Sequence, residues 1–376
     1  MAKIICITSG LNGVLNASLE LVSRLEVAGH EVLCAAPKKI GSRFNFKKIP
    51  FVELPTIRTN SNANLPTFMG PFRKVARFFY KQGNKKNRKA KALETVAPTS
   101  FSNLLDRESP DFLIIDIELH EYIIKTYAQS IPFLILSQWF TLWKTNQSPY
   151  LLSDIIPGKG WKGSKIGIEI SWILVKLRRW WIFKKLNWFS GGTDRRSILM
   201  DYARQQNFPL KYIKENYWPG PFTYNTLPVI SMTAREMEFT NHLPSNLFYV
   251  GPMIYEDRID QESKGKSNIS LDKILSYRKK NNASLIYCNL STLSKGDGQF
   301  ISKLIEAVKP NKNWILIISY GRGSGDLTLD QLPTNVFAFS YVSQLKVLKT
   351  ADLSINHGGI HTINECIHYK VPMLVY

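Results

Sequence analysis

A short apolar run that breaks at a glycine loop and resumes at helical spacing is the strongest constraint on how this chain folds. Ile4-Ile5-Cys6-Ile7-Thr8 reads as a buried strand, and Ser9-Gly10-Leu11-Asn12-Gly13 as a tight loop. Leu15, Leu19, Val22 and Leu25 then recur on one helix face, Gly29 marks a helix stop, and Glu31 to Ala36 begins a second strand. This is a βαβ opening. It demands a parallel sheet, with ligand chemistry at the carboxyl ends of the strands. Asp111 to Asp116 is a further strand ending in a carboxylate, and Phe133 to Ser137 is another.

Beyond Val250-Gly251-Pro252 the pattern is interrupted by a polar stretch, 256–270, and then starts again. Strands are expected at Leu285–Leu290, Trp314–Ser319, Val336–Phe339, Asp352–Asn356 and Val371–Tyr376. Helices are expected at Gln299–Lys309, Gln344–Thr350 and Ile360–Tyr369. At about 150 residues per domain, 376 residues suggest two domains. The expected architecture is α/β: two Rossmann-like parallel-sheet domains facing across a cleft. The boundaries are 1–252, a linker at 253–270, and 271–376.

A composition of 44% hydrophobic and 21% charged residues excludes a wholly disordered or collagen-like chain. Cys6, Cys34, Cys288 and Cys366 lie far apart, which suits buried thiols in a reducing compartment and not a disulfide framework or a zinc knuckle. The apolar run at Ile4 is too short for a signal-peptide core. The uncharged stretch Thr126–Trp143 is broken by Pro132, Ser130 and Gln138, which argues against a membrane span. A cytoplasmic location is expected.

The net charge of +20 is unevenly spread. Residues 73–91 hold nine Lys or Arg and no acid, and residues 162–185 hold seven against the single acid Glu169. Seven of the nine tryptophans fall between Trp139 and Trp188. Basic and aromatic residues mixed in this way suit an anionic surface. As a helix, 170–188 places Ile170, Ile173, Leu174, Leu177, Trp180, Trp181 and Trp188 on one side, with Lys184 interrupting the stripe. Two readings stand: a core-facing helix with a solvated basic face, or a helix facing the inner side of a membrane. No nucleic-acid-binding motif is present, and no nucleic-acid partner is expected.

The most specific segment is the last forty residues. Tyr341-Val342-Ser343-Gln344 precedes a short helix. The strand ending at His357 is followed by Gly358-Gly359 and a new helix carrying Thr362 and Glu365. A helix N-terminus after two glycines offers free N–H donors and a positive dipole end, which suits a phosphate. His357 adds a donor, Thr362 a hydroxyl, and Glu365 a carboxylate for a ribose diol. Thr362-x-x-Glu365 is also a capping box, which would fix the helix end with no ligand at all.

This segment resembles the nucleotide-sugar-binding signature of UDP-sugar-dependent glycosyltransferases of the two-Rossmann GT-B architecture. The likeness is to the family that holds plant secondary-metabolite and bacterial macrolide glycosyltransferases. The matching residues are Tyr341, Gln344, His357, Gly359, Thr362, Glu365 and Val371-Pro372. The resemblance implies that Tyr341 stacks on uracil and Val342 meets the base edge through its backbone. It implies that Gln344 and Glu365 hold the ribose, and that His357, Thr362 and Gly358-Gly359 take the diphosphate. Tyr287 to Thr292 looks like the family's first C-domain strand and loop, which puts Thr292 near the diphosphate or sugar. Gly13 to Val32 follows the family's first helix, and Val250-Gly251-Pro252 the approach to its linker.

Three departures stand out. Val14 occupies the position of the family's base histidine, so the acceptor proton falls to Asp116 or to His120. Asp116 reads equally as a loop cap, and His120 as a structural histidine. Ser343 and Ser291 replace a proline and a glycine. The chain stops at Tyr376, before the family's Asp-Gln loop and closing helix, so the second domain is expected to be incomplete. No Asp-x-Asp motif appears, and Asp116-Ile117-Glu118 is not read as a metal site.

The implied function is an inverting, metal-independent hexosyltransferase. Its co-substrate is a UDP-sugar, with no other cofactor, and its acceptor a lipophilic small molecule or lipid, met at an anionic membrane surface. The alternatives are a UDP-sugar epimerase on the same fold and a non-catalytic nucleotide-sugar or membrane-surface binding protein.

Overall fold

The computed structural model describes residues 1–9, 12–37, 49–55, 72–97, 99–139, 144, 148–150, 153–215, 220–238, 243–258, 269–290, 298–321 and 332–376. The chain divides into two compact units, Met1–Gly251 and Pro252–Tyr376.

The first unit is built on the strands β1 (Lys3–Ile7), β2 (Glu31–Pro37), β3 (Phe51–Leu54), β4 (Phe112–Asp116) and β5 (Phe133–Ser137). A small antiparallel pair, β6 (Ile213–Lys214) and β7 (Thr223–Tyr224), stands apart from the main sheet. The main sheet is completed by β8 (Val229–Ser231) and β9 (Leu247–Tyr249). Its order is β3-β2-β1-β4-β5-β8-β9, parallel throughout. The central strand is apolar on both faces because helices cover both. Ile5 and Ile7 join Leu113, Ile115 and Ile135 in one core with Phe101 and Tyr122. Each such buried side chain contributes about 1.5–3 kcal/mol.

The helices of this unit are α1 (Asn12–Val27), α2 (Arg73–Gly83), α3 (Lys85–Val96), α4 (Thr99–Glu108), α5 (His120–Ala128), α6 (Lys165–Ser190) and α7 (Arg195–Gln205). The loop expected at 9–13 is shorter than that: α1 already includes Gly13, and Gly10 and Leu11 lie outside the described residues. Val14 is a buried α1 residue. The 26 residues of α6 span about 39 Å. Its first turn is capped by the Ser164 hydroxyl, which accepts from the Gly167 N–H at 3.1 Å. It stops at Gly191, in the left-handed region at φ +67°. A Cβ there would lie 2.7 Å from the Lys81 carbonyl oxygen, so glycine lets α2 approach the end of α6. Among the described residues, no helix is long and apolar enough to cross a membrane.

The second unit comprises α8 (Leu271–Asn281), β10 (Ser284–Asn289), α9 (Gly298–Val308), β11 (Trp314–Ser319), β12 (Val336–Phe339), α10 (Gln344–Leu348), β13 (Leu353–Asn356), α11 (Ile360–His368) and β14 (Met373–Val375). Its sheet runs β12-β11-β10-β13-β14, again all parallel. The two-residue period of β10 divides the core. Leu285 and Tyr287 pack with Leu271, Val347 and Cys366, while Ile286 and Cys288 pack with Ile301 and Val308. The strand order reverses direction between β10 and β13, so the carboxyl ends there diverge and leave room for a ligand.

All four cysteines are buried and free. Burial pushes the Cys6 thiol up to about 12, which keeps it inert. The stretch read as a linker begins differently from that expectation: Met253, Ile254 and Tyr255 are buried, and residues 259–268 lie outside the described residues. Gly251 sits tightly in its own unit, where a Cβ would fall 2.1 Å from the Met232 carbonyl oxygen. Gly251→Ala is expected to lower the stability of the first unit by about 1–3 kcal/mol, read as a lower denaturant midpoint with an unchanged slope.

Candidate functional site

The carboxyl ends of β10, β12 and β13 gather most of the residues singled out in the last forty positions. Gln344 opens α10, and its amide donates to the Glu365 carboxylate and, at 3.4 Å, to the Thr362 hydroxyl. Its carbonyl oxygen accepts from the Asn289 amide at 2.6 Å and from the Tyr287 hydroxyl at 3.3 Å. A single glutamine therefore ties the end of β10 to the first turns of α11. Burial raises the Tyr287 phenol pKa, so it stays a neutral donor.

Glu365 is 5% exposed, and a carboxylate at that depth needs partners. Gln344 serves one carboxylate oxygen, and the guanidinium of Arg258 serves the other. A carboxylate offers about four lone-pair sites. Each oxygen can thus accept one more bond, enough for the two hydroxyls of a ribose. His361 follows Gly359 by two residues. Burial, aided by the Arg258 charge, brings its pKa down to about 4, so it is neutral near pH 7.

The turn before α11 is built for close approach. The buried side chain of Asn356 accepts from the Gly358 N–H at 2.9 Å, which folds the chain back at the end of β13. Gly358 takes φ +73°, and a Cβ on it would lie 3.1 Å from a methyl of Val375. A Cβ on Gly359 would lie 2.9 Å from Nε2 of His357, so the imidazole rests over this glycine. His357 itself is exposed. The helix cap is Gly359, with no side chain closing it. Thr362 lies inside the helix, so the capping-box reading fails, and the first N–H groups of α11 keep no intrahelical acceptor.

Tyr341 is half-buried in the loop after β12, and the Val342 side chain packs into the core. Thr292 lies outside the described residues. Arg258 and Asn289 were not anticipated. Nothing in a polar stretch of sequence distinguishes one arginine from its neighbours. The asparagine at the end of a buried strand was the more readable signal.

In the first unit, the two candidate bases have structural surroundings. Asp116 is 1% exposed. It accepts from the Ser9 hydroxyl at 2.5 Å, the Ser9 N–H at 3.1 Å and the Glu118 N–H at 3.0 Å. This is the loop-cap arrangement. Burial raises its pKa against the opposing pull of those bonds. His120 is 2% exposed, its Nδ1 lies 2.9 Å from the Tyr224 hydroxyl, and its ring sits 4.5 Å from that of Phe222. Burial lowers its pKa well below the usual value. His120 is a neutral core residue, packed as a structural histidine and not as an open base. The carboxyl group left partly open is Glu118, two residues past Asp116. Burial and the Asp116 charge push it up to about 7, with Arg195 and Trp139 pulling the other way. Arg195 also donates to the Glu118 carbonyl oxygen at 3.2 Å and to Glu121 at 3.0 Å. Among the described residues, no group of three or more His, Cys, Asp or Glu could hold a metal ion.

No family model matches the chain. It is similar to the uncharacterized UDP-glucosyltransferase YojK of Bacillus subtilis (strain 168), 26% identical over 127 residues, 34% of this chain. That match spans 28% of the relative's length. Among solved structures, the glycotransferase of kitacinnamycin aligns at TM-score 0.60 and 16% identity over 100% of this chain and 80% of its own. The glycosyltransferase VinC, solved in complex with DTDP, aligns at TM-score 0.54 and 15% identity over 99% of this chain and 80% of its own. At such identities the likeness shows the fold, which is that of the GT-B glycosyltransferases: two Rossmann-like units with parallel sheets. The chain resembles the GT-B glycosyltransferases of the macrolide type.

Glu118 gives this geometry a pH signature. Its folded pKa of about 7 lies above the ordinary 4.5, so the folded chain holds a proton that the unfolded chain releases. Stability from this group is complete below pH 4.5 and is lost as the pH rises through about 7. Glu118→Gln should remove about 1–3 kcal/mol of pH dependence between those limits, measured by denaturant titration at a series of pH values.

Proposed function

We propose that the chain transfers a hexose from a UDP-sugar to a hydroxyl of a lipophilic acceptor, with inversion and without a metal ion. The observation that carries the reading is the meeting of Gln344, Thr362 and Glu365 beside the His357-Gly358-Gly359 turn. A nucleoside diphosphate needs an aromatic face for the base, acceptors for the ribose diol, and donors for the phosphates. Tyr341 is read as the base platform, Glu365 as the ribose partner with Gln344 orienting it, and the α11 N-terminus with His357 and Thr362 as the diphosphate site. The DTDP complex of VinC supports a nucleoside diphosphate on this fold.

In the reaction, the acceptor oxygen attacks the anomeric carbon while the bond from that carbon to the UDP oxygen breaks. One displacement inverts the centre. The acceptor proton passes to a carboxylate, and Glu118 is the group read as that base: partly open, close to neutral pKa, and not consumed by the Asp116 cap. The charge that develops on the departing diphosphate is stabilised by the helix N-terminus and the His357 imidazole. The acceptor is a hydrophobic alcohol met at an anionic membrane surface from the cytoplasmic side, a reading supported by the basic, tryptophan-rich region of the first unit.

Calorimetry with UDP and dTDP, paired with transfer assays on a sterol and a glycolipid, tests this. Glu365→Ala is expected to weaken UDP binding about 10- to 100-fold. His357→Ala should cut the turnover rate about 100- to 1,000-fold with a smaller loss of UDP affinity. No uptake of UDP by the folded chain, or a full transfer rate in His357→Ala, would sink the donor-site assignment. A new UDP-sugar formed from donor alone would identify an epimerase instead.

A further inference from the structure

We propose that α2 and α6 of the first unit form a docking surface for an anionic lipid bilayer. The inference deepens the acceptor reading above, on which its purpose rests, by naming the surface.

From Ile173 to Phe189, seventeen residues of α6, not one is buried. At 100° per residue, Ile170, Ile173, Leu177, Trp180, Trp181 and Trp188 fall within an arc of about 120°. Leu177 is 53% exposed and Trp181 66%. A stripe of this size on one helix exceeds the scattered apolar residues normal on a protein surface. The capping contacts at Ser164 and Gly191 define both ends of α6, so the stripe belongs to a formed helix and not to a frayed end.

Cations border the stripe. By the same spacing, Arg178 and Lys185 lie along one edge and Lys176 along the other. Lys184 lies within the stripe, and its ammonium sits 5.3 Å from the centre of the Trp180 ring. A lysine stem laid across an indole covers apolar surface while its charge stays at the level of lipid phosphates. Tryptophan favours the same depth, where its ring is in the apolar layer and its N–H is wet.

A second helix extends the surface. No residue of α2 is buried, and Phe72, Val75 and Phe79 are exposed at a spacing of three and four. The two helices are joined through a stripe residue: the Phe78 ring lies 5.0 Å from that of Trp188, and the Gln82 amide donates to the Trp188 carbonyl oxygen at 2.5 Å. Charge selects the occupant. Residues 73–91 carry nine cations and no acid, and a second copy of a chain at +20 would bring the same sign to the contact. An anionic bilayer supplies the opposite sign together with an apolar layer for the stripe.

The test is flotation of the full chain with phosphatidylcholine vesicles, with and without phosphatidylglycerol. Binding is expected only with the anionic lipid, with a blue shift of tryptophan emission, and it should weaken sharply at about 0.5 M salt. The double variants Leu177→Ser/Trp181→Ser and Lys184→Glu/Lys185→Glu should each lower partitioning at least about tenfold and leave UDP calorimetry unchanged. Glu365→Ala should weaken UDP binding and keep vesicle binding, so the two readings fail separately. Equal binding to neutral vesicles, or no binding to either, overturns the proposal. So does a wild-type dimer, seen by sedimentation, that the Leu177→Ser/Trp181→Ser variant dissociates.

Discussion

The second unit is organised around a buried carboxylate. Glu365 sits almost out of contact with water, and an unpaired charge there would cost several kcal/mol. Two partners meet that demand, and each comes from a different part of the chain. Arg258 pins the segment after Met253-Ile254-Tyr255 to α11. Gln344 pins α10 to α11 and, through its carbonyl oxygen, to Asn289 and Tyr287 of β10. Removing either partner would leave the carboxylate exposed to its own desolvation. The same constraint holds the oxygens in place, and pre-oriented acceptors are what recognition of a diol requires.

The first unit meets a similar problem with a different outcome. Asp116 ends a strand in the middle of a parallel sheet, the place where ligand chemistry concentrates in such folds. Its acceptor capacity is taken up by Ser9 and by the Glu118 backbone, so it closes the loops after β1 and β4. Burial raises the pKa of Glu118, and the neighbouring Asp116 carboxylate adds to the rise. A structural carboxylate thus tunes its neighbour. Arg195, held by the Glu118 carbonyl oxygen and by Glu121, limits the effect through its positive charge.

Much of this was legible in the residues themselves, for identifiable reasons. Apolar runs from Ile4, Leu285 and Ile315 are buried on both faces, as in a parallel sheet between helix layers. The Gly358-Gly359 pair announced a tight turn, and φ +73° at Gly358 is the backbone conformation that glycine alone takes without strain. What was hidden depends on distance in the chain. The partner of Glu365 lies 107 residues away in a polar stretch with no periodicity. The Thr362-x-x-Glu365 spacing suited a cap, but a cap is decided by backbone angles, and those put the helix start at Gly359. His120 followed a strand end as a catalytic histidine would, and only the packing of Phe222 and Tyr224 around it shows that it is core.

The excess positive charge is not explained by the nucleotide reading. In the second unit the buried guanidinium beside the candidate ribose site is already neutralised by Glu365. The groups read as phosphate partners are a helix N-terminus, a hydroxyl and an imidazole, none of which adds a permanent charge. The cations are concentrated elsewhere, in residues 73–91 and 162–185 of the first unit, where acids are nearly absent. Clustered like charges repel, and a fold tolerates them at a surface when something of opposite sign is met there. The same helices leave tryptophan, isoleucine and leucine side chains unburied. Exposed apolar side chains are unfavourable in water, and clustered like charges repel one another. Their coincidence on two touching helices is what an anionic bilayer, as proposed above, would accommodate.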